Sequence, residues 1–228
     1  MKAIALDTST EYLSLGIAED KKILFEQAFL LERSHSTLLL PILGESLSRL
    51  DLSIQDIDGF IIGLGPGSFT GLRIGISMVK AMAVTLSKPV VGVPTLDCLA
   101  QSVSEKETQI VPFVDAKRNQ VYAALYQRKN GSLQKRFREE VVPPEDFLKK
   151  VKGRTLFLGG GASLYREKIV EVLGLHALFA DPSQDIPNPR TLLRLGMEKF
   201  SKKMFEDPRT LVPLYIYPKD CMIKRVER

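Results

Sequence analysis

Apolar residues in this chain come in short runs broken by turn-forming residues, and the runs alternate between two periods. Residues 2–7 read as a buried strand ending in Asp7, and 12–18 and 23–29 follow as a meander turned at Glu19-Asp20-Lys21-Lys22. Leu39, Ile42, Leu43, Leu47 and Leu50 then recur near helical spacing and predict a helix over 36–50. Pro41 lies in its first turns, so the helix is expected to begin near that residue or to kink there. The pattern continues as a strand over 59–64, a helix over 70–86, a strand over 88–92 and a helix over 95–102.

The same order then starts again. Residues 109–115 form an apolar run ending in Asp115, 120–127 and 133–138 complete a second meander, 144–151 predicts a helix and 155–158 a strand. Gly159-Gly160-Gly161 follows and opens a helix over 162–173. A shift of 108 residues carries Asp7 onto Asp115. Two halves that each run three strands, helix, strand, Gly-rich loop and helix predict a duplicated α/β fold. Its halves would be two mixed sheets with helices packed on them, residues 1–105 and 106–228, the C-terminal segment being able to pack back on the first half.

One segment stands out chemically. Residues 63–75 read Gly-Leu-Gly-Pro-Gly-Ser-Phe-Thr-Gly-Leu-Arg-Ile-Gly, between a strand and a helix. Pro66 fixes φ, Gly65 and Gly67 permit positive φ on either side, and Ser68 or Thr70 can cap the helix. Such a helix start can hold a phosphate; the other reading is a backbone that passes close to another element. The helix that follows carries Gly71 and Gly75 four apart and then Ala81 and Ala83, with apolar residues around nearly its whole circumference. A helix apolar on all sides must be covered on all sides, which one sheet and one neighbouring helix do not achieve. Leu38-Leu39-Leu40 on the preceding helix adds to that surface. A partner-binding face is therefore expected from Leu38, Leu39, Ile42, Gly71, Leu72, Gly75, Ile76, Val79 and Met82.

Composition changes this picture little. With 228 residues, 44% hydrophobic and 26% charged, the chain is an ordinary globular one. No apolar run suggests a membrane span, the N-terminus lacks a signal-peptide pattern, and Cys98 and Cys221 lack metal spacing, so a reduced, cytoplasmic protein is expected. The net charge of +5 is modest and spread thinly. Ser68 lacks the Gly-x-Ser-x-Gly spacing of a hydrolase elbow. The basic stretches at 135–138 and 219–228 read as solvated faces, the second also able to touch RNA in a larger complex, and His35 as a surface or capping residue.

Three loops resemble those of the actin/sugar-kinase superfamily: Asp7-Thr8-Ser9-Thr10 the first phosphate loop, Asp115-Ala116-Lys117-Arg118 the second, and Gly159-Gly160-Gly161-Ala162 the adenosine loop. At finer grain, residues 3–10, Ser34-His35-Ser36, 63–75, 90–94, 114–122 and Pro213-Leu214-Tyr215 resemble the Gcp-type, glycoprotease-like family. In that family's transferase, TsaD (Gcp), a His-x-x-x-His pair after the strand matching 90–93 holds a catalytic metal; this chain has Thr95 and Leu99 there. The resemblance thus implies no metal, no catalytic residues, and nucleotide loops at Asp7, Thr8, Ser9, Thr10, Gly159, Gly160 and Gly161 that are vestigial, with weak ATP or ADP binding at most. Lys117, Arg118 and Asn119 replace the small residues an active second loop would offer. It further implies a non-catalytic scaffold that binds and activates TsaD through a helix bundle, for threonylcarbamoyladenosine modification of tRNA decoding ANN codons. The ATPase TsaE joins that complex, tRNA is met indirectly, a homodimer forms when TsaD is absent, and no membrane is involved. Two alternatives stay open: an ATP-binding enzyme of the same superfamily, and a Gcp-type metalloprotease, which the missing histidines disfavour.

Overall fold

A computed structural model describes residues 1–31, 34–104, 109–129 and 131–217. The expected boundary at 105/106, Cys221 and the basic stretch 219–228 lie outside the described residues. The first half comprises β1 (Lys2–Asp7), β2 (Tyr12–Glu19), β3 (Lys22–Leu30), α1 (His35–Ser48), β4 (Gly59–Gly63), α2 (Phe69–Leu86), β5 (Val90–Val93) and α3 (Thr95–Ser102). The second comprises β6 (Gln109–Lys117), β7 (Gln120–Lys129), β8 (Ser132–Val142), α4 (Pro144–Leu148), β9 (Thr155–Leu158), α5 (Gly160–Leu164), α6 (Arg166–Leu173), β10 (Ala177–Phe179) and α7 (Pro189–Ser201).

The duplication is explicit in the sheets. The first has the order β3-β2-β1-β4-β5 and the second β8-β7-β6-β9-β10. In each, the meander pairs antiparallel and the two later strands pair parallel beside the first. This is the duplicated, actin/sugar-kinase-like α/β fold. The mixed pattern follows from the connections: turns of two to four residues allow only antiparallel neighbours, whereas helical crossovers return the chain parallel.

Each sheet is covered on both faces, and one cover is exchanged between halves. On the first sheet α1 and α2 bury Leu39, Leu43, Ile76 and Val79 against Ile4, Leu6, Phe60 and Ile62. Its other face, Ala3, Ala5, Ile61, Val91 and Val93, is covered by Leu192, Leu193 and Phe200 of α7. On the second sheet α4, α5 and α6 cover Val111, Phe113 and Phe157. The opposite face, Ile110, Val114, Ala124 and Leu156, packs on Leu96, Leu99 and Ala100 of α3. So α3 of the first half closes the second sheet, and α7 closes the first.

Several local expectations are corrected. Helix α1 starts at His35, with Pro41 inside it on the solvent side, where the carbonyl that loses its partner meets water. His35 is buried rather than a surface residue. The helix expected over 162–173 breaks at Tyr165 into α5 and α6. Helix α7 had no counterpart in the periodic reading, although Asn188 caps it through Thr191 N (3.0 Å) and Pro189 stands at its first position. Lys135, expected in a solvated face, instead sits between Asp97 (2.7 Å) and Glu139, and Tyr126 donates to the same Asp97 (2.5 Å). That cluster ties α3 to β7 and β8. Helix α2, with mean hydropathy 1.3 over 18 residues, is long and apolar enough to cross a membrane by length and composition. Here it lies on the first sheet with Leu72, Ile76 and Val79 buried.

Gly196 of α7 packs so closely on β4 that an added Cβ would lie 2.4 Å from Ile61. Gly196→Ala is therefore expected to lower stability by about 1–3 kcal/mol, the usual cost of overpacking, read as a lower midpoint in urea with an unchanged slope.

Candidate functional site

The loop after β1 is where the two strongest sequence signals meet. Asp7 Oδ1 accepts from Ser9 N (2.7 Å), which bends the chain tightly at the strand end. Thr8 Oγ1 donates to Gly71 O (2.8 Å), and Ser68 N donates to Ser9 O (2.6 Å). Asp7, Thr8 and Ser9 are all buried; Thr10 is half-buried and its hydroxyl stays within the turn, accepting from Tyr12 N (3.1 Å).

What covers this loop is the glycine string. A Cβ on Gly63 would lie 2.0 Å from Asp7 Oδ2, on Gly67 2.2 Å from Ser9 O, on Gly71 2.1 Å from Thr8 O and on Gly75 2.3 Å from Thr8 Oγ1. Four glycines at intervals of four thus let a strand end, a loop and a helix face close on three residues. The peptide Gly65-Pro66 is cis and Gly65 has φ +90°, while Gly67, expected to use its freedom of φ, is needed only because it has no side chain. Ser68 Oγ caps α2 by accepting from Gly71 N (3.2 Å). The helix start therefore addresses the chain's own Thr8–Ser9 backbone instead of presenting an open anion cradle.

The position of the absent metal histidine has a structural task. Thr95 Oγ1 donates to Asp7 Oδ2 (2.8 Å) and accepts from Gly65 N (3.2 Å), while Thr95 N donates to Gly65 O (2.8 Å). Leu99 is fully buried between α3 and the second sheet. A hydroxyl already bonded twice and a leucine do not make a donor set for a transition metal. Among the described residues no three His, Cys, Asp or Glu side chains come together as a metal site.

The second half repeats the turn with different chemistry. Asp115 Oδ1 accepts from Lys117 N (2.9 Å), as Asp7 does from Ser9, but Asp115 Oδ2 also pairs with Lys117 Nζ (2.6 Å). That pair holds the Lys117 ammonium above its ordinary range. Lys117, Arg118 and Asn119 all have positive φ, the backbone of a tight primed hairpin turn. At the triple glycine, Gly159 N donates to Asp185 Oδ1 (2.7 Å) and Ser163 Oγ to Asp185 Oδ2 (3.0 Å). A carboxylate from the same chain thus satisfies the loop. Gly161 is needed against Phe113 O (2.5 Å), whereas Gly160 has open space around it. Asp185 carried no motif; only the structure connects it to the glycines.

Of the expected partner face, Leu38 is exposed, and Ile42 and Met82 are half-buried against the first core. Leu39, Gly71, Leu72, Gly75, Ile76 and Val79 are buried within this chain, the two glycines against Thr8. The outer surface of the helix pair is instead completed by Leu40, Phe69 and Val84, all exposed, and by half-buried Ile74 and Met78. Exposure on a helix follows its angular position relative to the sheet, which spacing alone places less well than the structure.

Burial pushes the Asp7 carboxyl above its ordinary value, against the hydrogen bonds from Ser9 and Thr95. A carboxyl whose folded pKa is raised binds its proton more tightly when folded, so its contribution to stability is lost as pH rises from the ordinary carboxylate range through the raised value. Chemical denaturation across that window should show this slope, and Asp7→Asn should flatten it. Thr95→Val, which strands Asp7 Oδ2 and Gly65 N, should cost about 1–3 kcal/mol.

Comparison with known proteins agrees with this geometry. A family model described as "TsaD: tRNA N6-adenosine threonylcarbamoyltransferase" matches residues 29–225. The tRNA threonylcarbamoyladenosine biosynthesis protein TsaB of Bacillus subtilis is 33% identical over 230 aligned residues, 100% of this chain and 99% of that protein. TsaB of Escherichia coli is 34% identical over 71% of this chain and 72% of its own length. The crystal structure of YeaZ from Pseudomonas aeruginosa superposes with a TM-score of 0.80 at 27% identity, covering 94% of this chain and 99% of that one. Ethanolamine utilization protein EutJ from Carboxydothermus hydrogenoformans shares the fold alone, with a TM-score of 0.53 at 10% identity over 86% of this chain and 90% of its own. With a relative at 33% identity along its whole length and a family model spanning most of it, the chain belongs to the TsaB (YeaZ) family of tRNA threonylcarbamoyladenosine biosynthesis proteins.

Proposed function

We propose that this chain is a non-catalytic scaffold that binds and activates TsaD, the transferase that places threonylcarbamoyl on the adenosine of tRNAs decoding ANN codons. The observation that carries this reading is the outer surface of α1 and α2. Leu38, Leu40 and Val84 are 41–61% exposed there, and Ile42, Ile74, Met78 and Met82 are only half-buried against the core. Only a third of α2 is buried within this chain. Apolar surface on that scale is the signature of an interface, and two helices lying side by side present a ridged face to a second pair.

The closed loops support the non-catalytic part of the proposal. A nucleotide phosphate reaching Thr8 and Ser9 would have to displace the start of α2, and one approaching Gly159 would meet the Asp185 carboxylate. Asp7 is buried and bonded to Ser9 and Thr95, which keeps it from a substrate for general acid or base work. The protein then acts in the cytoplasm by holding TsaD in an active arrangement, with the ATPase TsaE and tRNA joining the assembly. Without TsaD the same face pairs with a second copy of this chain, and neither ATP nor ADP is a resident cofactor.

Leu38→Arg and Val84→Arg place a charge at exposed positions of the outer face, without disturbing the core. Each should abolish co-purification with TsaD while leaving the circular dichroism spectrum and melting temperature near those of the parent. Retained capture by both variants would sink the proposal. Arginine at Gly75 or Ile76 would be uninformative, because those positions are internal. In calorimetry, magnesium-ATP should give no saturable heat with the isolated chain.

A further inference from the structure

Next to the start of α2 the surface carries a cluster that the proposed helix bundle does not require. Phe69, Tyr215 and Tyr217 are 55%, 36% and 54% exposed, although the rings of Phe113, Phe147 and Phe157 are fully buried. The exposed rings adjoin one another, with centroids 5.8 Å apart and planes tilted by 42° between Phe69 and Tyr215, and 6.3 Å apart with a 35° tilt between Tyr215 and Tyr217. Arg73 is fixed among them. Its guanidinium carbon lies 3.8 Å from the Phe69 ring centroid, and its Nε donates to Tyr215 OH (3.0 Å). The segment that carries the tyrosines is itself tied down, since Leu214 N donates to Leu64 O (2.8 Å) and Lys80 Nζ to Leu211 O (2.9 Å).

Exposed, adjoining aromatic rings with an arginine held between two of them suit one class of ligand. Every nucleobase has a π-face that stacks on such rings, and a planar guanidinium can stack beside a base or pair with a phosphate. Paired bases are stacked on each other and offer no free face, so the surface favours unpaired nucleotides. Charge points the same way. The chain is +5 overall, and the residues following Tyr217 carry Lys219, Lys224, Arg225 and Arg228 against Asp220 and Glu227. Those last residues lie outside the described structure and contribute only their charge to this reasoning.

We propose that Phe69, Arg73, Tyr215 and Tyr217 form a platform that stacks unpaired nucleotides of RNA. This rests on the reading that the chain serves tRNA modification, and it makes the chain a direct contact for the RNA rather than a bystander. The platform lies at one end of α2, so RNA and the partner of the helix face can be held together.

Fluorescence anisotropy of the full chain tests this with two labelled probes, a tRNA stem-loop with an unpaired loop and a fully paired RNA duplex of the same length. The stem-loop should bind more tightly. The chain has no tryptophan and only six tyrosines, so stacking on Tyr215 and Tyr217 should also quench its intrinsic emission. Tyr217→Ala should weaken stem-loop binding at least about fivefold, Tyr217→Phe should bind like the parent, and both should still capture TsaD. Leu38→Arg should lose TsaD but keep the RNA, which separates failure of this inference from failure of the scaffold reading. Absence of stem-loop binding, equal binding of stem-loop and duplex, or unchanged affinity in Tyr217→Ala would each overturn the platform. So would loss of TsaD capture in Tyr217→Ala with RNA affinity intact, which would make the cluster a protein interface.

Discussion

Where Gly63, Gly67, Gly71 and Gly75 clasp the strand end at Asp7-Thr8-Ser9, main chain packs on main chain and on two short side chains with no room for a Cβ. Everything nearby inherits its position from this contact. It sets how near α2 lies to β1, which buries Leu72, Ile76 and Val79 and turns Phe69, Arg73 and Val84 outward. It also orients Asp7 toward Thr95, which anchors the start of α3 and so relates the first half to the second sheet. Side chains larger than hydrogen at these four sites would meet main-chain oxygens or a buried carboxylate or hydroxyl, none of which can swing aside as a flexible side-chain end can.

The same constraint closes the loops that resemble phosphate loops. An open phosphate loop needs backbone N–H groups facing a cleft. Here the strand-end turn is kept in both halves, Asp7 to Ser9 and Asp115 to Lys117, but its surroundings are filled from within. The first is filled by a helix face, the second by a lysine folded onto its own aspartate, and the triple glycine by Asp185. The turn stabilises the strand end whether or not a phosphate sits on it.

Much of the fold was legible because its signals were local. Strands ending in Asp7 and Asp115, with glycine loops after the fourth strand of each half, suffice to expose the duplication, and Thr95 and Leu99 stand visibly where two histidines would be needed. The unread parts depend on contacts across the chain. Which side of α2 is buried is decided by Thr8, more than sixty residues earlier, so Gly75 and Ile76 could be taken for outer residues. Asp185 serves a loop with which it shares no motif, and α7 begins in a polar, proline-containing stretch whose apolar face makes sense only against Ile61 and Val91.

The exchange of covering helices has a consequence for how the chain is made. Synthesis delivers both faces of the first sheet early, but the helix that shields Ala3, Ala5, Ile61 and Val91 is α7, which emerges only after the second sheet is complete. A nascent chain must therefore carry a naked apolar β-surface through most of its translation, and contacts of such long separation form slowly. During that interval the surface is open to chaperones and to misassociation. Division of the gene between the repeats would separate a sheet from its lid, so two repeats in sequence form one cooperative folding unit in space.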